Sequence, residues 1–226
     1  MLFFDSTMLI LIPAIIISFI AQIRVKSAYS KYSKERTFNG YTGEQVARMI
    51  LDEAGCFDVP IKLTNEELAD HYDPRDRSLT LSRDVFLGST IAAAGIAAHE
   101  VGHALQHKQS YAPLKIRNAI VPVVNISSNL SWVLFMAGLF LSITPLINVG
   151  IILFTAAVVF QIITLPVEFN ASSRALKILK SKAILSSTEL KGAKKVLQAA
   201  AMTYVAAALM SILQLVRLIA IKNRND

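Results

Sequence analysis

The sequence predicts a mainly α-helical integral-membrane protein with three or four transmembrane helices and a small α+β segment. Hydrophobic residues fill 54% of the 226 positions and charged residues 17%, which is more apolar than soluble domains usually are. No charged residue occurs over 118–167, whereas most of the acidic residues lie over 24–117. The chain has room for one folded segment and a few membrane spans, but not for two full soluble domains.

An N-terminal transmembrane anchor is predicted over 1–23. Its apolar run, Met8 to Ile23, is long enough with its flanks, because a membrane-spanning helix needs roughly 20 residues. A cleaved signal peptide is the alternative, but no basic residue precedes the run and Pro13 interrupts it. Basic residues follow the run, which favours an anchor with its N-terminus outside. They are Arg24, Lys26, Lys31, Lys34 and Arg36.

The segment 24–117 is predicted to fold outside the membrane, with two helices and two strands. These elements are a helix over Thr42–Ala54, strands over Val59–Leu63 and Ser78–Ser82, and a long helix from about Ser89 to His107. Thr42 and Gln45 resemble a capping box at the start of the first helix, and Gly55 can supply a left-handed residue at its end. The alternating residues of the SLTLS run are typical of a strand.

The charge-free stretch 118–167 is predicted to be a transmembrane hairpin. Its length fits two helices, with a break around Thr144-Pro145 and Asn148. Arg117 precedes the stretch and Arg174 follows it. Because basic residues favour the cytoplasmic side, both ends of the hairpin should lie on the side that holds the folded segment.

The charge and the cysteine content exclude two classes of site. The net charge of +7 comes from basic residues that collect beside the apolar runs, as in membrane anchoring, so a bilayer rather than a nucleic acid is the expected partner. Cys56 is the only cysteine, which rules out an intramolecular disulfide and a four-thiolate zinc site.

The predicted long helix carries the pattern H-E-x-x-H, over residues 99–103. Histidines four residues apart lie on one helix face, so His99 and His103 can bind one Zn²⁺, with Glu100 as general base for a metal-activated water. The alternative is an ordinary helix with solvent-facing polar residues. The surrounding run of alanines and isoleucines opposes it, because polar side chains buried without a role are costly.

Two histidines ordinarily need a third protein ligand. The metzincin pattern is excluded, because Gln106 and Gln109 stand where it requires Gly and His, and His107 lies too far along the axis from His99. Glu168, the first charge after the neutral stretch, is the better candidate, since the hairpin would return it to the histidines. A snorkelling or capping carboxylate is the alternative.

The motifs HEVGHALQH, Glu168–Ser172 (EFNAS) and YDPRDRSLTLS together resemble the YugP-like family of membrane-bound neutral zinc metallopeptidases, over nearly the whole length. The chain is also distantly similar to HtpX-like and Ste24-like membrane proteases, in which H-E-x-x-H pairs with a later E-x-x-A-D. This resemblance implies a zincin-like fold, Glu168 as third ligand and an active site facing the cytoplasm. Ser172 replaces the Asp of that motif, so the carboxylate expected to orient a zinc-bound histidine is missing or supplied elsewhere.

The likeness leaves two further roles open. Ser78–Ser82 is either the edge strand to which a peptide substrate adds or an ordinary structural strand. A donor to the transition-state oxyanion is needed beyond zinc. The four candidates, among which sequence does not choose, are Tyr204, Arg174, His71 and His107.

The sequence thus predicts a multi-pass zinc endopeptidase of the cell membrane, acting on protein or peptide substrates that are unfolded or membrane-associated. Region 168–226 should hold the third-ligand helix and an apolar helix over Leu197–Ile221, which is either a fourth span or packed under the catalytic segment. The main alternative is a catalytically inactive metal-binding membrane scaffold. A metal transporter would need charged side chains within its spans, which 118–167 lacks.

Overall fold

A computed structural model describes residues 6–225, of which most are helical. A 3-10 turn over Ser6–Leu11 leads into the first helix. The elements are α1 Ile12–Tyr32, α2 Gly43–Glu53, β1 Ile61–Thr64, β2 His71–Asp73, β3 Ser78–Ser82, α3 Arg83–Leu87, α4 Ile91–Lys108, α5 Ala112–Leu141, α6 Thr144–Ser181 and α7 Ser187–Asn225. The chain is 76% helix with one small sheet, which confirms the predicted mainly α class.

Four helical stretches within residues 6–225 are long and apolar enough to cross a membrane. They are Ser6–Tyr32, Ala112–Leu141, Thr144–Ser181 and Ser187–Arg224. The last of these contains the apolar run whose role the sequence left open, so length and composition favour four spans over three.

The chain divides into two compact units, and all four of these helices contribute to both. The membrane unit comprises Met1–Ala21, Lys115–Pro166 and Met202–Asp226; the site unit comprises Gln22–Leu114 and Val167–Ala201. Each unit has its own cluster of buried apolar side chains.

Within the membrane unit, α5 and α6 form the predicted hairpin. Gly138 of α5 approaches Ile147, while Gly150 of α6 approaches Phe135, so the two helices run antiparallel. A Cβ at Gly150 would lie 2.9 Å from the Phe135 amide nitrogen, which shows why a residue without a side chain stands at this crossing. The break lies at residues 142–143, slightly before the predicted position, because Pro145 is accommodated in the first turn of α6.

Hydrogen bonds in the membrane unit join the two ends of the described chain. Arg217 Nε donates to Thr7 Oγ1 over 3.2 Å, and Arg224 donates to Ser6 Oγ over 2.8 Å. The end of α7 therefore lies beside the start of the first helix. An even number of membrane crossings would place these two ends on one side of a bilayer.

The site unit contains a three-stranded sheet with the order β1-β3-β2. β3 pairs in parallel with β1 and antiparallel with β2. The predicted strand Ser78–Ser82 is confirmed with its bounds, but its interpretation as an edge strand is wrong, because β3 lies in the centre with Leu79 and Leu81 fully buried. β1 begins at Ile61 rather than Val59, because Pro60 has no N–H for the ladder.

Two helices of the site unit begin with the caps that their sequences encode. At α2, Thr42 Oγ1 accepts from the Gln45 amide over 3.2 Å and Gln45 Oε1 accepts from the Thr42 amide over 3.0 Å, so the capping box is confirmed. Gly55 has φ +66° after the helix, as predicted. At α4, Thr90 Oγ1 accepts from the Ala93 amide over 3.2 Å. The alanines that follow are almost fully buried, which makes α4 the central helix of this unit.

Candidate metal centre

The site unit brings the three predicted ligands together. α4 supplies His99 and His103, one turn apart on the same face, and α6 supplies Glu168. Glu168 Oε2 lies 3.4 Å from His99 Nε2 and 3.6 Å from His103 Nε2. One ligand atom from each residue lies within 4.8 Å of the other two. His103 and Glu168 are only 8% and 3% exposed, so two of the three ligands are shielded from solvent.

This geometry fits one zinc ion. Ligands at about 2.0 to 2.1 Å from a tetrahedral zinc are separated by roughly 3.3 Å, which is close to both nitrogen–oxygen distances in the site. Two imidazoles and one carboxylate are also the donor set of many catalytic zinc sites, which keep the fourth position open. The residues present therefore fit the ion that the sequence predicts.

A close approach of α4 and α6 aligns the ligands. Gly102, next to His103, faces Ala171, three residues after Glu168. A Cβ at Gly102 would lie 2.8 Å from the Ala171 carbonyl oxygen and 3.2 Å from its Cα. Glycine at this position thus allows the two backbones to lie at the separation that the metal ligands require.

Each histidine uses its second ring nitrogen for a hydrogen bond. His99 Nδ1 lies 3.1 Å from Ser172 Oγ, so a hydroxyl stands where the related motif has a carboxylate. His103 Nδ1 lies 3.0 Å from Gln106 Oε1. Both Nε2 atoms are thereby directed toward Glu168, which is the arrangement that orients histidine ligands in metal sites.

Sequence reasoning missed the polar chain that continues from Gln106. Gln106 Nε2 donates to the Val167 carbonyl over 2.8 Å and to Asn170 Oδ1 over 3.0 Å. Asn170 Oδ1 also accepts from Arg174 Nε over 2.6 Å, and Arg174 donates in turn to Gln109 Oε1 over 2.5 Å. The available signal was a glutamine three residues after His103 in a helix of alanines, where a polar side chain needs a partner.

A family comparison adds to this geometry. The family described as "Putative neutral zinc metallopeptidase" matches residues 7–223. The chain belongs to this family. A Bacillus subtilis (strain 168) protein named "Putative membrane protease YugP" is 51% identical over 210 residues, which cover 93% of each chain. No solved structure matches the chain.

Membership of the zinc metallopeptidase family confirms the resemblance drawn from the motifs. It also supports zinc as the cofactor, which His99, His103 and Glu168 can hold. The name of the relative and the four apolar helices agree on a membrane protein of the protease class, whose substrates are proteins or peptides.

The surroundings of the histidines favour a cation. Burial lowers the pKa of His103, but the nearby carboxylates of Glu168 and Glu100 outweigh this effect and leave the pKa raised. A protein environment that stabilises positive charge on an imidazole also stabilises a metal ion at the same place.

Glu100, in the same helix turn, has the properties of a proton acceptor. Burial raises the pKa of its carboxyl above the ordinary value, although the neighbouring His99 and His103 act to lower it. A carboxylate with a raised pKa binds a proton more readily near neutral pH, as a general base must.

The four candidate oxyanion donors lie in different surroundings. His107 Nδ1 is 2.9 Å from the Tyr72 hydroxyl, and His71 is exposed with Nδ1 2.8 Å from the Ala69 carbonyl oxygen. Arg174 is bound to Asn170 and Gln109 and lies over the Tyr111 ring. Tyr204 belongs to the membrane unit. Neither His107 nor His71 belongs to the metal-ligand group.

Proposed function

We propose that the protein is a membrane-embedded zinc-dependent endopeptidase, in which His99, His103 and Glu168 hold the metal and Glu100 is the general base. The observation that carries this proposal is the convergence of the three ligand atoms within 4.8 Å, with Glu100 directly after His99 on the same helix. Membership of the zinc metallopeptidase family supports it independently.

Bound zinc supplies Lewis-acid chemistry that activates water for attack on a peptide carbonyl. Glu100, which follows His99 on α4 and whose pKa is raised by burial, accepts the proton of the attacking water. It then returns that proton to the leaving amine. Arg174, in the site unit, is the candidate donor to the developing oxyanion. The expected substrates are unfolded or membrane-associated proteins.

The catalytic test uses the full chain purified in detergent, with zinc content and cleavage of unfolded casein measured on the same samples. His99→Ala should lose stoichiometric zinc and activity, whereas Glu100→Gln should keep zinc and lose activity by at least about 100-fold. Glu67→Gln, at an exposed loop position, is the matched control and should behave as wild type.

Two results would refute the mechanism. Equal casein cleavage by Glu100→Gln and wild type would exclude Glu100 as the base, and unchanged zinc in His99→Ala would exclude the metal site. Stoichiometric zinc in wild type without turnover of any peptide would instead favour the metal-binding scaffold. The observation that supports this alternative is Ser172, which replaces the Asp of the related motif.

We further propose that the protein lies in the cell membrane with its active site facing the cytoplasm. Basic residues flank the ends of the apolar helices that continue into the site unit, whereas the turn at residues 142–143 carries no charge. The end of α7 carries three basic residues of its own, Arg217, Lys222 and Arg224, but six stand at the helix ends that continue into the site unit, so the balance follows the positive-inside rule. The basic residues at these helix ends are Arg24, Lys26, Arg174 and Lys177 in the site unit and Lys115 and Arg117 in the membrane unit.

Cysteine labelling tests this orientation. In a Cys56→Ser background, single cysteines replace Ile143, in the exposed turn between α5 and α6, or Glu67, in the site unit. A membrane-impermeant maleimide should label I143C in intact cells and E67C only after lysis. The opposite pattern would reverse the proposed topology.

A further inference from the structure

Gln106 is a completely buried carboxamide on the helix that carries both histidine ligands. Its exposed fraction is 0%, and it is among the largest fully buried side chains of the described residues. A carboxamide offers two N–H donors and one acceptor oxygen, and burying it without hydrogen-bond partners is costly. Gln106 instead makes three hydrogen bonds, to His103, Val167 and Asn170.

The partners of Gln106 determine which way its amide faces. The Val167 backbone carbonyl can only accept, so it must face the Gln106 nitrogen. Asn170 presents its oxygen, because it accepts from Arg174 Nε, which can only donate. Both donors of the Gln106 amide are thereby used toward α6, and its oxygen must face His103.

The orientation of Gln106 in turn determines the tautomer of His103. An amide oxygen can only accept, so His103 Nδ1 must carry a proton in this hydrogen bond. The neutral imidazole then has its lone pair on Nε2, which is the atom 3.6 Å from Glu168 Oε2. The Ser172 hydroxyl beside His99 can donate or accept, so it does not impose a tautomer in this way.

We infer that Gln106 is a positioning residue that holds His103 in its metal-binding tautomer and ties that tautomer to the helix of the third ligand. Its amide nitrogen donates to the backbone carbonyl of Val167, directly before Glu168, and to the side chain of Asn170, two residues after Glu168. One side chain thus orients a ligand on α4 and sets the position of a ligand on α6. This inference rests on the proposed metal site.

A zinc-affinity series tests the inference without reference to activity. The full-length apoprotein in detergent is titrated with zinc in competition with a fluorescent chelator, and the thermal unfolding of each apoprotein is measured alongside. Gln106→Met removes all three hydrogen bonds at similar volume and should weaken zinc binding by about 10- to 100-fold. Gln198→Met, the same substitution at an exposed position of α7 in the site unit, should bind as wild type.

Two substitutions at Asn170 test the link to α6. Asn170→Asp keeps an oxygen that accepts from both Gln106 and Arg174, so its zinc affinity should stay within about threefold of wild type. Asn170→Leu removes that acceptor and should weaken binding by more than Asn170→Asp, about tenfold. If the hydrogen bond between Asn170 and Gln106 only stabilised the fold, Asn170→Leu would lower the thermal stability of the apoprotein, but it would bind zinc as tightly as Asn170→Asp.

The outcomes separate this inference from the proposed function. Zinc affinity of a folded Gln106→Met protein within about threefold of wild type overturns it. If Gln106→Met does not fold, the Asn170 pair decides, and equal affinities of Asn170→Leu, Asn170→Asp and wild type overturn it. If wild type does not bind zinc, the metal site itself is refuted. If wild type binds zinc and His99→Ala does not, the metal site is supported, and this result does not depend on the zinc affinity of Gln106→Met.

Discussion

Replacing Gly102 with alanine tests whether the close approach of α4 and α6 sets the metal geometry. The added Cβ would lie 2.8 Å from the Ala171 carbonyl oxygen and 3.2 Å from the Ala171 Cα. Both neighbours are backbone atoms, so neither can rotate away as a flexible side chain could. The helices themselves must move apart.

The size of that movement follows from the contact distances. An ordinary contact of this kind begins at about 3.4 Å, so the 2.8 Å contact requires a shift of roughly 0.6 Å. Metal–ligand distances must hold within about 0.2 Å of their preferred values. A displacement three times that tolerance, between a residue beside His103 and one three positions after Glu168, should lower zinc affinity and peptidase activity at least about tenfold.

Gly95→Ala is the matched control on the same helix. A Cβ at Gly95 would lie 3.3 Å from the Cβ of Ala193, so a shift of about 0.1 Å relieves the contact. Alanine also favours a helix interior by about 1 kcal/mol relative to glycine. Gly95→Ala should therefore keep wild-type zinc affinity, measured by the chelator competition. Equal zinc affinity of Gly102→Ala and Gly95→Ala would refute the reasoning.

Three further predictions concern other parts of the site unit. Ser172→Ala should weaken zinc binding by about tenfold, because it removes the partner of His99, while Ser172→Asp should retain it; equal affinities of the two would contradict this role. Thr42→Ala should lower the unfolding free energy by about 1 kcal/mol through loss of the capping box, and an unchanged thermal midpoint would count against it. Burial raises the pKa of Asp70 above its ordinary value of 3.8, although hydrogen bonds from Ser82 act to lower it. The folded state therefore favours the protonated carboxyl, and ionisation of Asp70 lowers the stability of the folded protein. This loss of stability is absent below pH 3.8 and complete above the raised pKa. Asp70→Asn should therefore raise the apoprotein's thermal midpoint more at about pH 7 than at about pH 4, and a difference of the opposite sign would refute it.

The helical elements could be predicted because their signals are local. The charge-free stretch 118–167 predicted the hairpin, and the capping pattern at Thr42 predicted the start of α2 to within one residue. The break in the hairpin was less precise. Proline both ends helices and fits their first turn, so the position of Pro145 alone does not say on which side of it the turn lies.

The strand order could not be predicted, because it depends on pairing between distant segments. The alternation of apolar and polar residues along Ser78–Ser82 indicates that successive side chains point to opposite faces of a sheet, but it does not indicate how many strands pair with this one. The third strand, β2, has only three residues and a polar sequence, HYD, so its residue pattern did not predict a strand. The edge-strand alternative came from the family resemblance, and without β2 nothing in the sequence opposed it.

The ligand set was accessible to sequence reasoning because the spacing of His99 and His103 and the hairpin geometry each restrict the answer. The orienting groups were not. Gln106 bonds to residues 61 and 64 positions away, and such contacts depend on how two helices are rotated against each other. The comparison with the related motif placed Ser172 at the position of an orienting carboxylate, but it did not predict that the serine hydroxyl lies within hydrogen-bond distance of His99.

The contacts of the site form one seam between α4 and α6. On α4 the participating residues follow the helical repeat, at positions 99, 102, 103 and 106, so they share one face. His99 meets Ser172 and Glu168, Gly102 meets Ala171, and Gln106 meets Val167. The surface that packs the two helices is thus the same surface that arranges the ligands.

Metal binding and helix packing should therefore stabilise each other. A zinc ion bound only by the folded seam raises the unfolding free energy by about 2.7 kcal/mol when free zinc is about 100 times its dissociation constant. The thermal midpoint of wild type should rise with added zinc, and that of His99→Ala should not. A zinc-independent midpoint in wild type would mean that zinc does not bind the folded protein more tightly than the unfolded chain, which would refute the metal site between α4 and α6.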